Sequence, residues 1–90
     1  MHGGIMSNNP EFEEGPFFLI IETAIGHPSK SFIVWATDAH TAASVFGMKT
    51  GHSLAYIYPE LIGGLSDVKR DYRLLPSQVS DLHREGYLRL

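Results

Sequence analysis

The sequence predicts a small α+β protein built as one domain, on three observations. Two runs rich in aromatic and β-branched residues, 17–24 and 31–36, flank a turn segment containing Gly26, Pro28 and Ser29. Ala39, Ala42, Ala43 and Phe46 recur at the spacing of one helix face. Residues 76–85 open on Pro76 and stop at Gly86, the start and stop signals of a further helix.

Taken in order, residues 1–15 read as a flexible N-terminal arm, with residues 16–90 forming the domain. Gly3, Gly4, Ser7, Asn8, Asn9 and Pro10 form regular structure poorly, and Glu11, Glu13 and Glu14 offer little to bury. Phe17-Phe18-Leu19-Ile20-Ile21 is too continuously apolar for a strand with a wet face, so a largely buried strand is expected. Turn chemistry over residues 25–30 and a second strand over 31–36 complete an antiparallel hairpin.

Thr37 or Asp38 is the expected N-cap of a helix over about residues 38–49. Lys49 suits the negative helix end, and Gly51 suits the left-handed cap after it. Leu54-Ala55-Tyr56-Ile57-Tyr58, closed by Pro59, reads as a third strand. The order is then ββαβ. A helical crossover would let the third strand run parallel to the second, with the helix over one face.

Gly63-Gly64 breaks the chain. Residues 65–75 fit two patterns: Val68, Tyr72 and Leu74 alternate, while Leu65, Val68, Tyr72 and Leu75 have helical spacing. Ser66-Asp67 as a cap tips the balance to helix. Residues 76–85 form the second short C-terminal helix, with Val79 and Leu82 on one side, and residues 87–90 an edge strand or docked tail.

With 90 residues the chain has room for one modest core. Apolar residues are 43% of it, too many for a disordered chain. No cysteine is present, which excludes disulfides, thiolate metal sites and a cysteine nucleophile. A secreted domain of this size commonly needs disulfide staples, so a reducing, cytoplasmic compartment is expected. No window is apolar enough to cross a membrane, and residues 1–9 lack the pattern of a signal peptide.

The net charge of −3 disfavours direct binding of duplex nucleic acid. Residues 1–65 hold two basic against six acidic side chains, and residues 66–90 five against four. The body is acidic and the C-terminal part mildly basic.

No catalytic, cofactor or metal constellation emerges. His2, His27, His40, His52 and His83 include no pair at helical metal-ligand spacing. His52 adjoins Ser53, but neighbouring side chains diverge, and no nucleophile elbow is present. Gly63-Gly64 lacks the lysine and hydroxyl of a phosphate loop.

The run from Thr37-Asp38-Ala39 through Gly51 to Leu54-Ala55-Tyr56-Ile57-Tyr58, with the strands before it, resembles small ββαβ proteins carried by phages and plasmids. Some of those inhibit host defence, the anti-CRISPR proteins among them. The resemblance is one of architecture and covers about residues 17–58. It implies a non-enzymatic inhibitor or regulator.

Three functional expectations result. The first is a protein-interaction module whose acidic face, Glu11, Glu13, Glu14, Asp38 and Glu60, meets a protein partner such as a nucleic-acid-handling complex. The second is an RNA or single-stranded DNA binder using Lys30, Trp35, Tyr56 and Tyr58 as a stacking platform. The third is a dimeric ligand-binding or enzyme subunit with His40, His52 and Glu60 at a shared cavity. A homodimer through residues 87–90 is kept open.

Overall fold

The computed structural model describes residues 10–24, 26–50 and 59–90. The element order is α1 (Pro10–Glu14), β1 (Phe17–Ala24), β2 (His27–Trp35), α2 (Ala39–Thr50), β3 (Glu60–Gly63), α3 (Leu65–Tyr72), α4 (Pro76–Glu85) and β4 (Tyr87–Arg89). The strands form one sheet in the order β3-β1-β2-β4, and every pairing is antiparallel. This is the expected α+β class, with helices packed on a four-stranded sheet.

β1 and β2 are the central strands, in register from Phe17 opposite Trp35 to Glu22 opposite Lys30. Side chains alternate across a strand, so the hairpin buries two sets. Phe17, Ile33 and, from β4, Leu88 face one side, where Phe12, Leu65, Val68 and Leu82 cover them. Phe18, Ile20, Phe32 and Val34 face the other, under Ala42 and Phe46 of α2. Burial on both faces is why these strands read as unbroken apolar runs. The ring of Phe46 meets that of Phe32 edge-on, centroids 4.7 Å apart.

The hairpin is tighter than its turn residues suggest. β2 begins at His27, which pairs with Ala24, so the connection is about two residues rather than six. In α2, Ala42 and Phe46 are buried as the stripe requires, whereas Ala39 is exposed and Ala43 half-buried. The Asp38 carboxylate accepts the Thr41 backbone N–H at 2.7 Å, making Asp38 the N-cap.

Two expectations are corrected here, and a third falls outside the described residues. Residues 10–14 are helix rather than loose arm, because Phe12 is only 5% exposed and anchors them in the core. Pro10 at the first position and acids in the first turn are helix-start chemistry. The expected strand over 54–58 lies outside the described residues; the described strand that follows α2 is Glu60–Gly63, antiparallel to β1. α3 is a helix, but its cap is Gly64, whose N–H donates to the Asp67 carboxylate at 3.0 Å. Leu75 N–H donates likewise to Gln78 Oε1 at 2.8 Å to open α4, and Gly86 closes it in the left-handed region.

Gly63 joins β3 to α3 at φ +135°, a conformation side chains rarely adopt, and a Cβ there would collide with the Asp67 carboxylate. Gly63→Ala is therefore expected to destabilise the fold by about 1–3 kcal/mol. Urea denaturation followed by circular dichroism measures this, and Gly26→Ala, where no atom lies within 4 Å of the added carbon, isolates the cost of backbone conformation alone.

Candidate functional site

A cleft lies where α1, the end of β2 and the start of α2 converge. It measures about 410 Å³ and is lined by Glu11, Glu14, Gly15, Trp35, Ala36, Thr37 and Thr41. Its construction begins with α1. Glu11 and Glu14 stand three residues apart, which puts them on one helix face. Gly15 takes φ +79°, and its N–H donates to the Glu11 carbonyl at 3.1 Å, turning the chain out of α1 toward β1.

The opposite wall comes from the β2–α2 junction. Ala36 N–H donates to the Pro16 carbonyl at 3.3 Å, closing the back of the cleft. Thr37 and Thr41 bring two hydroxyl groups. Asp38, the α2 cap between them in sequence, also accepts the Thr37 hydroxyl at 3.4 Å. Its carboxyl is held below the ordinary value of 3.8, first by the Thr41 backbone N–H and next by the Thr41 side chain.

Trp35 supplies the apolar wall. Its ring packs edge-on to Phe12 at 4.9 Å and stacks offset on Phe17 at 6.3 Å, with His83 tilted at 5.9 Å. His83 in turn stacks on Phe12 at 4.4 Å. Thus α1, β2 and α4 meet in one aromatic cluster, and the cleft opens beside it. Carboxylates next to an apolar wall suit a cationic group on an aliphatic stem, through ion pairing and apolar contact.

The structure brings together only part of the acidic face. Glu11 and Glu14 share the cleft, while Asp38 caps α2 by accepting the Thr41 N–H. Glu13 lines a separate hollow of about 300 Å³ with Leu65, Ser66 and Lys69. Glu60 lies on β3 in a third, of about 180 Å³. The stacking platform fares differently. Trp35 is half-buried and packed into the aromatic cluster, not displayed on a sheet face. Lys30 is exposed opposite Glu22 in the ladder, and Tyr56, Tyr58 and His52 lie outside the described residues. His40 is exposed on the first turn of α2. Among the described residues no three His, Asp or Glu side chains converge as metal ligands would.

Sequence reasoning missed Trp35, Thr37 and Thr41 as partners of Glu11 and Glu14. The spacing of the two glutamates was a usable signal, but it required recognising residues 10–14 as helix.

The basic C-terminal part is largely neutralised by its own acids. Arg70 lies between Asp67 at 3.1 Å and Asp71 at 2.9 Å, and Arg84 between Asp81 at 2.6 Å and Glu85 at 3.0 Å. No helix of the described residues is long and apolar enough to cross a membrane. No protein-family model, curated protein or solved structure matches this chain.

Asp38 joins the cleft to the stability of α2, and its titration has a defined sign. A lowered folded-state pKa contributes stability that is present above the unfolded-state value and lost as pH falls through the folded one. Asp38→Asn keeps a cap oxygen but carries no charge. The melting temperature of the native protein should exceed that of Asp38→Asn at pH 7, with the gap closing below the ordinary aspartate value of 3.8. Thermal melts across pH 2.5–7, a range chosen to span the carboxylate titration, make the comparison.

Proposed function

We propose that this chain is a small non-enzymatic protein-interaction module that engages a basic partner through the α1–α2 cleft. The observation that carries the reading is the convergence of Glu11, Glu14 and Trp35 on one cavity. A lysine or arginine side chain entering there meets two carboxylates while its aliphatic stem lies against the apolar surface of Trp35. Proteins that handle nucleic acid display such side chains in basic grooves, so an inhibitor or regulator of a nucleic-acid-handling complex is the form of partner relationship proposed. The architectural resemblance to phage- and plasmid-borne inhibitors, including anti-CRISPR proteins, supports the same form and motivates a mobile-element origin.

Packing of Trp35 among Phe12, Phe17 and His83 removes support from the single-stranded nucleic-acid reading, since a stacking platform needs an accessible ring face.

The test is capture of partners from host lysate, with and without nuclease, by the native protein and by the Glu11→Lys/Glu14→Lys double variant. A stoichiometric, nuclease-resistant partner should be retained by the native protein, released by rising salt, and lost by at least about tenfold from the double variant. Glu13→Lys, outside the cleft, should retain it. Equal capture by the double variant, shown folded by circular dichroism, would overturn the cleft. Recovery of nucleic acid alone would overturn the protein-partner reading.

A further inference from the structure

The α1 wall of the cleft rests on a residue that does not line it. α1 lies against the corner where β3 passes into α3, and the contact there is backbone on backbone. A Cβ built on Gly64 would stand 3.0 Å from the Glu13 carbonyl oxygen and 3.3 Å from that of Glu14, inside the 3.4–4 Å of ordinary contact. The nearest atoms are all backbone, so no flexible side chain is there to give way. The neighbouring contact is as close: a Cβ on Gly15 would stand 2.9 Å from the Gly63 carbonyl oxygen.

Dihedral angles do not require glycine at position 64. Its φ of −85° and ψ of −177° are extended backbone that any residue adopts. What the position requires is space.

The restraints on each side decide which one yields to an added side chain. Gly64 is pinned at both ends: its N–H donates to the Asp67 carboxylate at 3.0 Å, and its carbonyl accepts the Val68 N–H at 3.2 Å. Gly63 before it pairs with Phe17 in the ladder, and Leu65 after it is buried in the core. α1 has five residues and one buried side chain, Phe12, and a helix that short does not hold itself. α1 therefore moves, by a few tenths of an ångström for a methyl group and further for a branched side chain.

The segment that moves carries the acidic wall. Glu14, whose carbonyl faces Gly64, lines the cleft together with Gly15. The Gly15 N–H is bonded to the Glu11 carbonyl at 3.1 Å, so both glutamates shift as one piece. Trp35, Thr37 and Thr41 stand on the other wall and stay with β2 and α2. A binding constellation has to be held to within about 0.5 Å of its working geometry. We propose that Gly64 is a positioning residue for the α1–α2 cleft, setting where Glu11 and Glu14 stand against Trp35, a role that rests on the reading of that cleft as the partner site.

The test uses the full chain, labelled with ¹⁵N, and n-butylguanidinium as the probe, a cation on an aliphatic stem. The native protein should show saturable shifts at the Trp35 indole N–H and the Glu14, Gly15 and Thr41 amides. Gly64→Ala should weaken the probe by about threefold and Gly64→Val by about tenfold or more. In both, the Trp35 indole resonance should already differ before the probe is added. Gly26→Ala, strained at φ +84° but with no atom within 4 Å of the added carbon, should bind as the native protein does, which separates positioning from loss of stability. Should Gly64→Val fail to fold by circular dichroism, Gly64→Ala carries the comparison. Native-strength binding by a folded Gly64 variant, or equal weakening by Gly26→Ala, would overturn the role of Gly64 while leaving the cleft standing. Absence of saturable shifts in the native protein, or native-strength binding by Glu11→Lys/Glu14→Lys, would overturn the cleft reading and the role of Gly64 with it.

Discussion

The antiparallel ladder between β1 and β2 is apolar on both faces, and that constraint organises the rest of the chain. Phe17 and Ile33 on one side and Phe18, Ile20, Phe32 and Val34 on the other each require a cover. A chain of 90 residues has little surplus, so each helix serves one face. α2 covers one with small Ala42 and large Phe46, which allows close approach and deep filling. The other face needs three pieces, α1, α3 and α4, because each is short. A helix of 5, 8 or 10 residues is marginal in isolation, so all three owe their order to packing.

This division also explains where the clefts fall. Covers assembled from short helices meet at seams. α1 meets the β2–α2 junction at the large cleft, α1 meets α3 at the hollow beside Glu13, and α3 meets β3 at the hollow beside Glu60. Polar and acidic side chains gather at seams because the helix faces turned toward the sheet are already apolar. Phe12 is the pivot of the first seam. Its ring contacts Phe17, Trp35 and His83, which tie α1 to β1, β2 and α4 together. Fully burying such a ring contributes about 1.5–3 kcal/mol, enough to order a single turn of helix. The wall that carries Glu11 and Glu14 is thus held by one aromatic side chain.

Much of the fold was legible in the sequence because its signals are local. The two strand runs, the α2 stripe with its Asp38 cap, and the Pro76-to-Gly86 helix each carry their own start, stop or period. What failed was decided at a distance. α1 looked like an arm because Pro-Glu-Phe-Glu-Glu has no amphipathic period, and only the tertiary pocket around Phe12 makes it helical. The cap of α3 was placed two or three residues late because Asp67 acts backwards, from the third helical position to the Gly64 N–H. The acidic face was chosen by charge alone. Of five carboxylates grouped by sign in the sequence, four fall at three separate seams and Asp38 caps α2. Trp35 shows the complementary limit: exposure of a strand aromatic cannot be read without knowing which helices cover its face.

The distribution of charge over these seams has a physical consequence for recognition. Arg70 and Arg84 repeat one arrangement, each guanidinium held between the aspartate three residues before it and the acid just after it. Exposed pairs of this kind contribute little to stability, about 0–1 kcal/mol. They do cancel field. The excess of basic side chains in residues 66–90 is thereby muted on α3 and α4, whereas Glu11, Glu14 and Glu60 stand at openings. An approaching cationic surface is accordingly drawn to the seams rather than to the helix backs. Because the screening length at physiological salt is about 8 Å, the field at each seam stays local and the separated carboxylates do not merge into one acidic face.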